Sequence, residues 1–125
     1  MSALQGYVPG RHKIDDYGGG GFRFADMSHR GSILATPTGV RAIAPAAWSE
    51  IDSATVDLAL SEAGELDLFL FGTGKDLMPV ASAARQRLRA AGVGAEVMST
   101  GAAVRTYNML VDEGRRVAAL LIAVP

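Results

Sequence analysis

Between Leu66 and Val124 the chain alternates three strand-like segments with two helical ones, an order that leaves few folds open. Leu66–Phe71 is nearly continuous apolar, broken only by Asp67, and Val93–Met98 and Val117–Val124 follow it. Continuous apolar runs belong to strands buried on both faces, in sheets covered by helices. Pro79 is the expected first residue of the first intervening helix, with Val80, Ala83, Ala84, Leu88 and Ala91 as its apolar stripe and Gly92 as its end. The second helix falls within Ser99–Val117. Ser99 and Thr100 are N-cap types, Gly114 with Arg115 and Arg116 forms the stop, and Ala103, Tyr107, Leu110 and Val111 make the buried stripe. With short connections, the order β-α-β-α-β predicts parallel strands and right-handed crossovers. If Val93–Met98 and Val117–Val124 flank Leu66–Phe71, with Val117–Val124 central, the two helices cover opposite faces. A crevice then opens at the carboxyl ends of the strands.

The first half of the chain carries turn signals. Met1–Lys13, containing Gly6, Pro9 and Gly10, is expected to be a poorly ordered lead-in, which leaves residues 14–125 as a single α/β domain. Gly18–Gly21 lies between Tyr17 and Phe22 and predicts a turn at the mouth of a hairpin, because Phe22-Arg23-Phe24 alternates like a strand. Ser32–Ala35 and Val40–Ala44 flank Thr36-Pro37-Thr38-Gly39, a tight-turn signal with Pro early and Gly late. Beyond the loop around Pro45, Trp48 is expected as a lid over the core. Asp52 or Ser53 should cap a helix through Thr55–Ala63, with Val56, Ala59 and Leu60 apolar and Gly64 ending it.

Composition narrows the function classes. A chain of 125 residues suits one core, and 49% apolar against 20% charged residues supplies it. The net charge of −1 argues against nucleic-acid binding by bulk electrostatics, and Arg85, Arg87 and Arg89 are accounted for as an exposed helical face. The absence of cysteine removes disulfides, thiol catalysis and thiolate metal sites. No secretory signal is visible at the N-terminus, and the longest apolar run, Val117–Pro125, is nine residues where a membrane span needs about 20. These features predict a soluble, cytoplasmic protein without direct membrane insertion.

Most candidate chemistry dissolves on inspection. Gly74-Lys75 resembles the end of a phosphate-binding loop, but Phe69 stands where that motif needs glycine and Asp76 where it needs Ser or Thr. His12 and His29 lack ligand spacing, so no metal site is expected. Ser28-His29-Arg30 cannot act as a nucleophile set on an extended strand, because neighbours point to opposite faces. Asp15-Asp16 fits a solvated turn. Asp112 and Glu113 are the expected partners of Arg115 or Arg116. No catalytic residues and no cofactor follow from the sequence. One residue stands apart: Arg105 is a cation in the first turn of its helix, where the dipole disfavours it, and its helical neighbours Gly101, Ala102, Asn108 and Met109 are uncharged. Gly72-Thr73-Gly74 and Ser99-Thr100-Gly101 would emerge at the same sheet edge, each leading to a helix N-terminus. Gly72, Thr73, Gly74, Thr100, Gly101 and Arg105 are therefore the candidate anion or ligand site.

The segments GFRFADMSHRGS (Gly21–Ser32), LFGTG (ending at Gly74), GAAVRTYN (Gly101–Asn108) and EGRRVAALLI (Glu113–Ile122) resemble a small-domain family of bacteria, archaea and mitochondria. Its members include mitochondrial complex I assembly factor three and an adipogenesis-associated domain protein. The resemblance runs from about Ile14 to the end and is most specific in the last two motifs. It implies a three-layer α/β fold with a central mixed five-stranded sheet flanked by helices, and extra N-terminal β-strands packed on one face. It also implies no established enzymatic activity and no known cofactor. In one branch it implies a role in assembling membrane respiratory complexes, with a membrane-complex subunit or assembly factor as protein partner. Two functions are thus expected: a non-enzymatic interaction or assembly module, or a binder of a small anionic ligand, including an uncharacterised enzyme, at the crevice.

Overall fold

The computed structural model describes residues 6–125. Residues 1–5 of the expected lead-in lie outside the described residues, and Tyr7–Pro9 within its remainder forms strand β1. The other strands are β2 (Asp16–Gly18), β3 (Gly21–Phe24), β4 (Met27–Arg30), β5 (Ile33–Ala35), β6 (Gly39–Ala42), β7 (Leu68–Gly72), β8 (Gly94–Met98) and β9 (Val117–Leu121). Three helices accompany them: α1 (Ser53–Ala63), α2 (Ser82–Ala90) and α3 (Thr100–Asp112). The main sheet has six strands in the order β1-β6-β5-β9-β7-β8, and β2-β3-β4 forms a separate three-stranded sheet. The expected five-stranded sheet is thus extended by one strand, because β1 pairs antiparallel with the outer edge of β6.

β7 pairs parallel with both β8 and β9, whereas β5 pairs antiparallel with β9, so the sheet is mixed about a central β9. Every residue of β9 is buried, and alternate residues serve opposite faces. Ala118 and Leu120 join Phe69, Phe71, Val56, Ala59, Ala84 and Leu88 on the face covered by α1 and α2. Ala119 and Leu121 join Leu70, Ala103, Val104 and Tyr107 on the other face. Ile14, Phe22 and Phe24 belong to that second core, so the small sheet packs on the α3 face.

Local signals place most elements. Asp52 Oδ1 accepts the Ala54 N–H at 3.1 Å to cap α1, and Gly64 ends the helix with φ +70°. Thr36 Oγ1 accepts the Thr38 and Gly39 N–H groups at 3.2 and 3.3 Å, closing the β5–β6 turn. Gly19 and Gly20 take φ +61° and +84° between β2 and β3. Trp48 packs half-buried against the core under α1 and α2.

The α2 region departs from expectation. The helix begins at Ser82 rather than Pro79, and Ala81 caps it without a side-chain bond. Thr73 Oγ1 donates to the Asp76 carbonyl at 2.6 Å and accepts the Met78 N–H at 3.0 Å. These bonds wrap residues 73–78 into a loop and postpone the helix. Ala83 and Ala91, expected in the apolar stripe, are exposed; Val80, Ala84 and Leu88 alone are buried.

Candidate functional site

The β7→α2→β8 and β8→α3→β9 crossovers run in opposite directions and place α2 and α3 on opposite faces. The carboxyl ends of β7, β8 and β9 therefore meet the N-terminus of α3. Ser99 caps that helix, its Oγ accepting the Ala102 N–H at 3.4 Å. Gly72 packs tightly here: a Cβ on it would lie 3.0 Å from both Leu121 Cδ2 and Thr100 Cα. α3 can approach the sheet this closely only because residue 72 has no side chain.

The two candidate threonines do not face the crevice. Thr100 is fully buried, and its Oγ1 donates to the Ile122 carbonyl at 2.7 Å while accepting the Gly74 N–H at 2.9 Å. It ties the loop after β7 to the end of β9. Thr73 is buried too and holds the 73–78 loop. Both hydroxyls satisfy backbone groups that emerge together where three strands end, which is why they turn inward.

Gly74, Gly101 and Arg105 do come together. With Tyr17, Lys75, Ser99, Val124 and Pro125 they line a cleft of about 380 Å³. Gly74 takes φ +106°, a conformation favouring glycine, and a side chain on Gly101 would run into the Tyr17 hydroxyl. Arg105 is exposed, and among the described residues neither it nor Lys75 has a carboxylate within ion-pair distance. Two cations thus share a concave site near a helix N-terminus, where the Thr100, Ala102 and Ala103 N–H groups are already bonded to the Gly74 carbonyl, Ser99 Oγ and the Ser99 carbonyl, and the helix dipole adds positive potential. Sequence reasoning missed Tyr17, which arrives from the distant β2, and tested Lys75 only against a motif it does not fit.

The remaining candidates are placed as follows. His12 Nε2 lies 2.9 Å from the Pro9 carbonyl oxygen, and His29 stacks obliquely beside Phe24 at 6.5 Å between ring centroids. Asp16 Oδ1 accepts the Tyr17 N–H. Asp112 and Glu113 are not the partners of Arg115 and Arg116. Arg115 faces Asp67 at 3.8 Å, Arg116 faces Glu65 at 3.0 Å, and Asp112 pairs with Lys13 at 3.0 Å. The chain entering β9 runs beside the chain entering β7, so the two arginines reach across to 65 and 67 rather than back along α3.

α3 also holds the N-terminal segment. Asn108 Oδ1 accepts the Ile14 N–H at 2.8 Å and its Nδ2 donates to the Ile14 carbonyl at 2.8 Å. The Tyr107 hydroxyl donates to the His12 carbonyl at 3.1 Å. Burial pushes the Tyr107 hydroxyl up to about 12, opposed in part by the nearby Arg11 cation.

A large mixed sheet covered by three helices, with a small second sheet on the α3 face, defines the structural class. The chain belongs to the DUF498/DUF598 family of proteins of unknown function, whose model matches residues 14–122. An uncharacterised protein of Rhodobacter capsulatus is 43% identical over 112 residues, covering 90% of this chain and 85% of that one. The crystal structure of an outer membrane protein from Bartonella henselae is similar, with 45% identity, a TM-score of 0.88, and coverage of 94% of this chain and 98% of that one. A Bordetella pertussis protein described as a Mth938-like domain superposes with a TM-score of 0.77 at 28% identity, covering 89% and 85% of the two chains. Among the described residues, no helix is long and apolar enough to cross a membrane.

Proposed function

We propose that this chain is a non-enzymatic binding module that recognises an anionic group, a phosphate or a carboxylate, in the cleft of Tyr17, Lys75, Gly101 and Arg105. The observation that carries this reading is the convergence of Lys75 and Arg105 on a concave site without a carboxylate partner among the described residues. Arg105 is the sixth residue of α3, one turn beyond the expected first-turn position where the dipole penalises a cation, and its exposed guanidinium is placed to meet an anion. The structural roles of Thr73 and Thr100 fit this division, since they shape the cleft from behind while Gly72 lets α3 close on the sheet.

Phosphate should raise the melting temperature of the native protein by mass action on the folded state. At tenfold excess over the dissociation constant the gain is about 1.4 kcal/mol, or about 4–7 °C for a chain of this size. Arg105→Ala should abolish most of that gain while changing the melting temperature in phosphate-free buffer little. Strong destabilisation in every buffer, with no anion dependence, would make Arg105 a structural bridge.

The assembly-factor role is a second reading, favoured by the GAAVRTYN and EGRRVAALLI segments. In it the anionic group belongs to a protein partner, a membrane-complex subunit or assembly factor, met from the cytoplasmic side. Co-purification with membrane-complex subunits, before and after solubilisation, should depend on Arg105. Recovery of no such subunit, or equal recovery with Arg105→Ala, removes this reading.

A further inference from the structure

The cleft leaves the outer face of the small sheet unused, and that face carries the GFRFADMSHRGS segment. The register sets Asp16 opposite Arg23 and Arg23 opposite Ser28, and sets Gly18 opposite Gly21 and Gly21 opposite Arg30. These positions share the face opposite Phe22 and Phe24, whose rings enter the core. Arg23 and Arg30 are diagonal neighbours across two strands, an arrangement with Cβ atoms about 7–8 Å apart, within reach of long side chains. Ser28 stands beside them on β4, and on the other side of the pair, at Gly18–Gly21, the sheet has no side chains. Gly18–Gly21 floors the space with bare backbone, and a Cβ on Gly21 would strike the His29 carbonyl. The result is a trough of about 580 Å³.

The charges in this trough are not compensated. Arg23 Nη1 donates to Ser28 Oγ at 2.9 Å, and Arg30 Nη1 lies over Gly20, 3.5 Å from where a Cβ would stand. Asp16 sits opposite Arg23, yet its Oδ1 accepts the Tyr17 N–H at 2.9 Å. Among the described residues no carboxylate reaches either arginine, whereas Arg41, Arg87, Arg115 and Arg116 each find one.

We infer that this trough is a second anion site, which adjoins the cleft at Tyr17 but uses different cations, and that it takes a small molecule bearing a phosphate or diphosphate group. A carboxylate offers two coplanar oxygens, which one guanidinium fork satisfies. A phosphoryl group offers oxygens in several directions and can be held by two forks from different strands. The backbone floor admits such a group closely, and the Ser28 hydroxyl adds a donor or acceptor. Asp16 at the rim opposes a long polyanion, which makes a nucleic acid the wrong occupant.

Amide chemical shifts test this, with inorganic pyrophosphate as the probe in the protein carrying both Lys75→Ala and Arg105→Ala, where the cleft is silenced. Saturable shifts are expected at Gly18–Gly21, Arg23, Ser28 and Arg30. Replacing both arginines (Arg23→Ala with Arg30→Ala) should weaken binding at least tenfold. If that double variant does not fold, Arg30→Lys keeps the charge, removes the fork and should weaken binding several-fold. Absence of saturable shifts, shifts reproduced by sodium chloride at equal ionic strength, or unchanged affinity in these variants would overturn the proposal. Failure here leaves the Arg105-dependent phosphate effect of the wild-type protein unaffected, so the two sites are judged separately.

Discussion

Replacing Asn108 by alanine removes two hydrogen bonds at once, and both belong to the backbone of one residue. Ile14 is 2% exposed and sits in the core between the small sheet and α3. Its N–H and carbonyl have the Asn108 carboxamide as their partner, each at 2.8 Å. A backbone group left dry and unpaired costs about 1–3 kcal/mol. The carboxamide is only partly buried, so water recovers a share of the loss. Asn108→Ala is therefore expected to cost about 2–4 kcal/mol in urea denaturation at neutral pH, with an unchanged denaturant slope. Asn108→Asp refines the test. Ionised, the new carboxylate still accepts the Ile14 N–H but repels the Ile14 carbonyl. Protonated, it donates to that carbonyl. Its folded pKa is thereby raised above the unfolded value of about 3.9. The stability it contributes is present below the unfolded value and lost as pH rises through the folded one. The deficit of Asn108→Asp should shrink on acidification relative to Asn108→Ala. A cost below about 0.5 kcal/mol for Asn108→Ala, the range of ordinary surface changes, would refute the bracket argument.

Two further predictions follow from burial. Leu121→Ala removes a fully buried side chain from the central strand and should cost about 2–5 kcal/mol by chemical denaturation; well under 1 kcal/mol would contradict tight packing there. Tyr107, pushed up to about 12, retains its proton in the folded state, while the unfolded chain loses it near the ordinary tyrosine value of about 10. Its contribution is present below the unfolded value and lost as pH rises through the folded one, so stability should fall across that interval. Tyr107→Phe should flatten this alkaline decline in thermal melts, and an unchanged profile would show that the hydroxyl is not the group responsible.

The second half of the chain was legible because its signals are local and agree. Apolar runs, the caps at Asp52 and Ser99 and the stops at Gly64 and Gly114 all point to the observed elements. β4 was hidden for a physical reason. The turn before it uses Ala25 and Asp26 at φ +52° and +60°, positions where glycine or asparagine would have announced a hairpin. β1 was hidden because three residues that only pair with an edge carry little pattern. At the candidate site, Gly74, Gly101 and Arg105 follow from strand–helix order, but the inward turn of Thr73 and Thr100 depends on where three strand ends converge. Tyr17 belongs to another sheet, and nothing near it in sequence foretells its contact with Gly101.

The most direct test of an anion-recognising cleft is to map inorganic phosphate onto the wild-type protein by amide chemical shifts at constant ionic strength. Saturable shifts should appear at Lys75 and Ser99–Ala103 and disappear when Lys75→Ala and Arg105→Ala are combined. If those amides remain still under saturating phosphate, or move equally in the double variant, the cleft does not recognise anions.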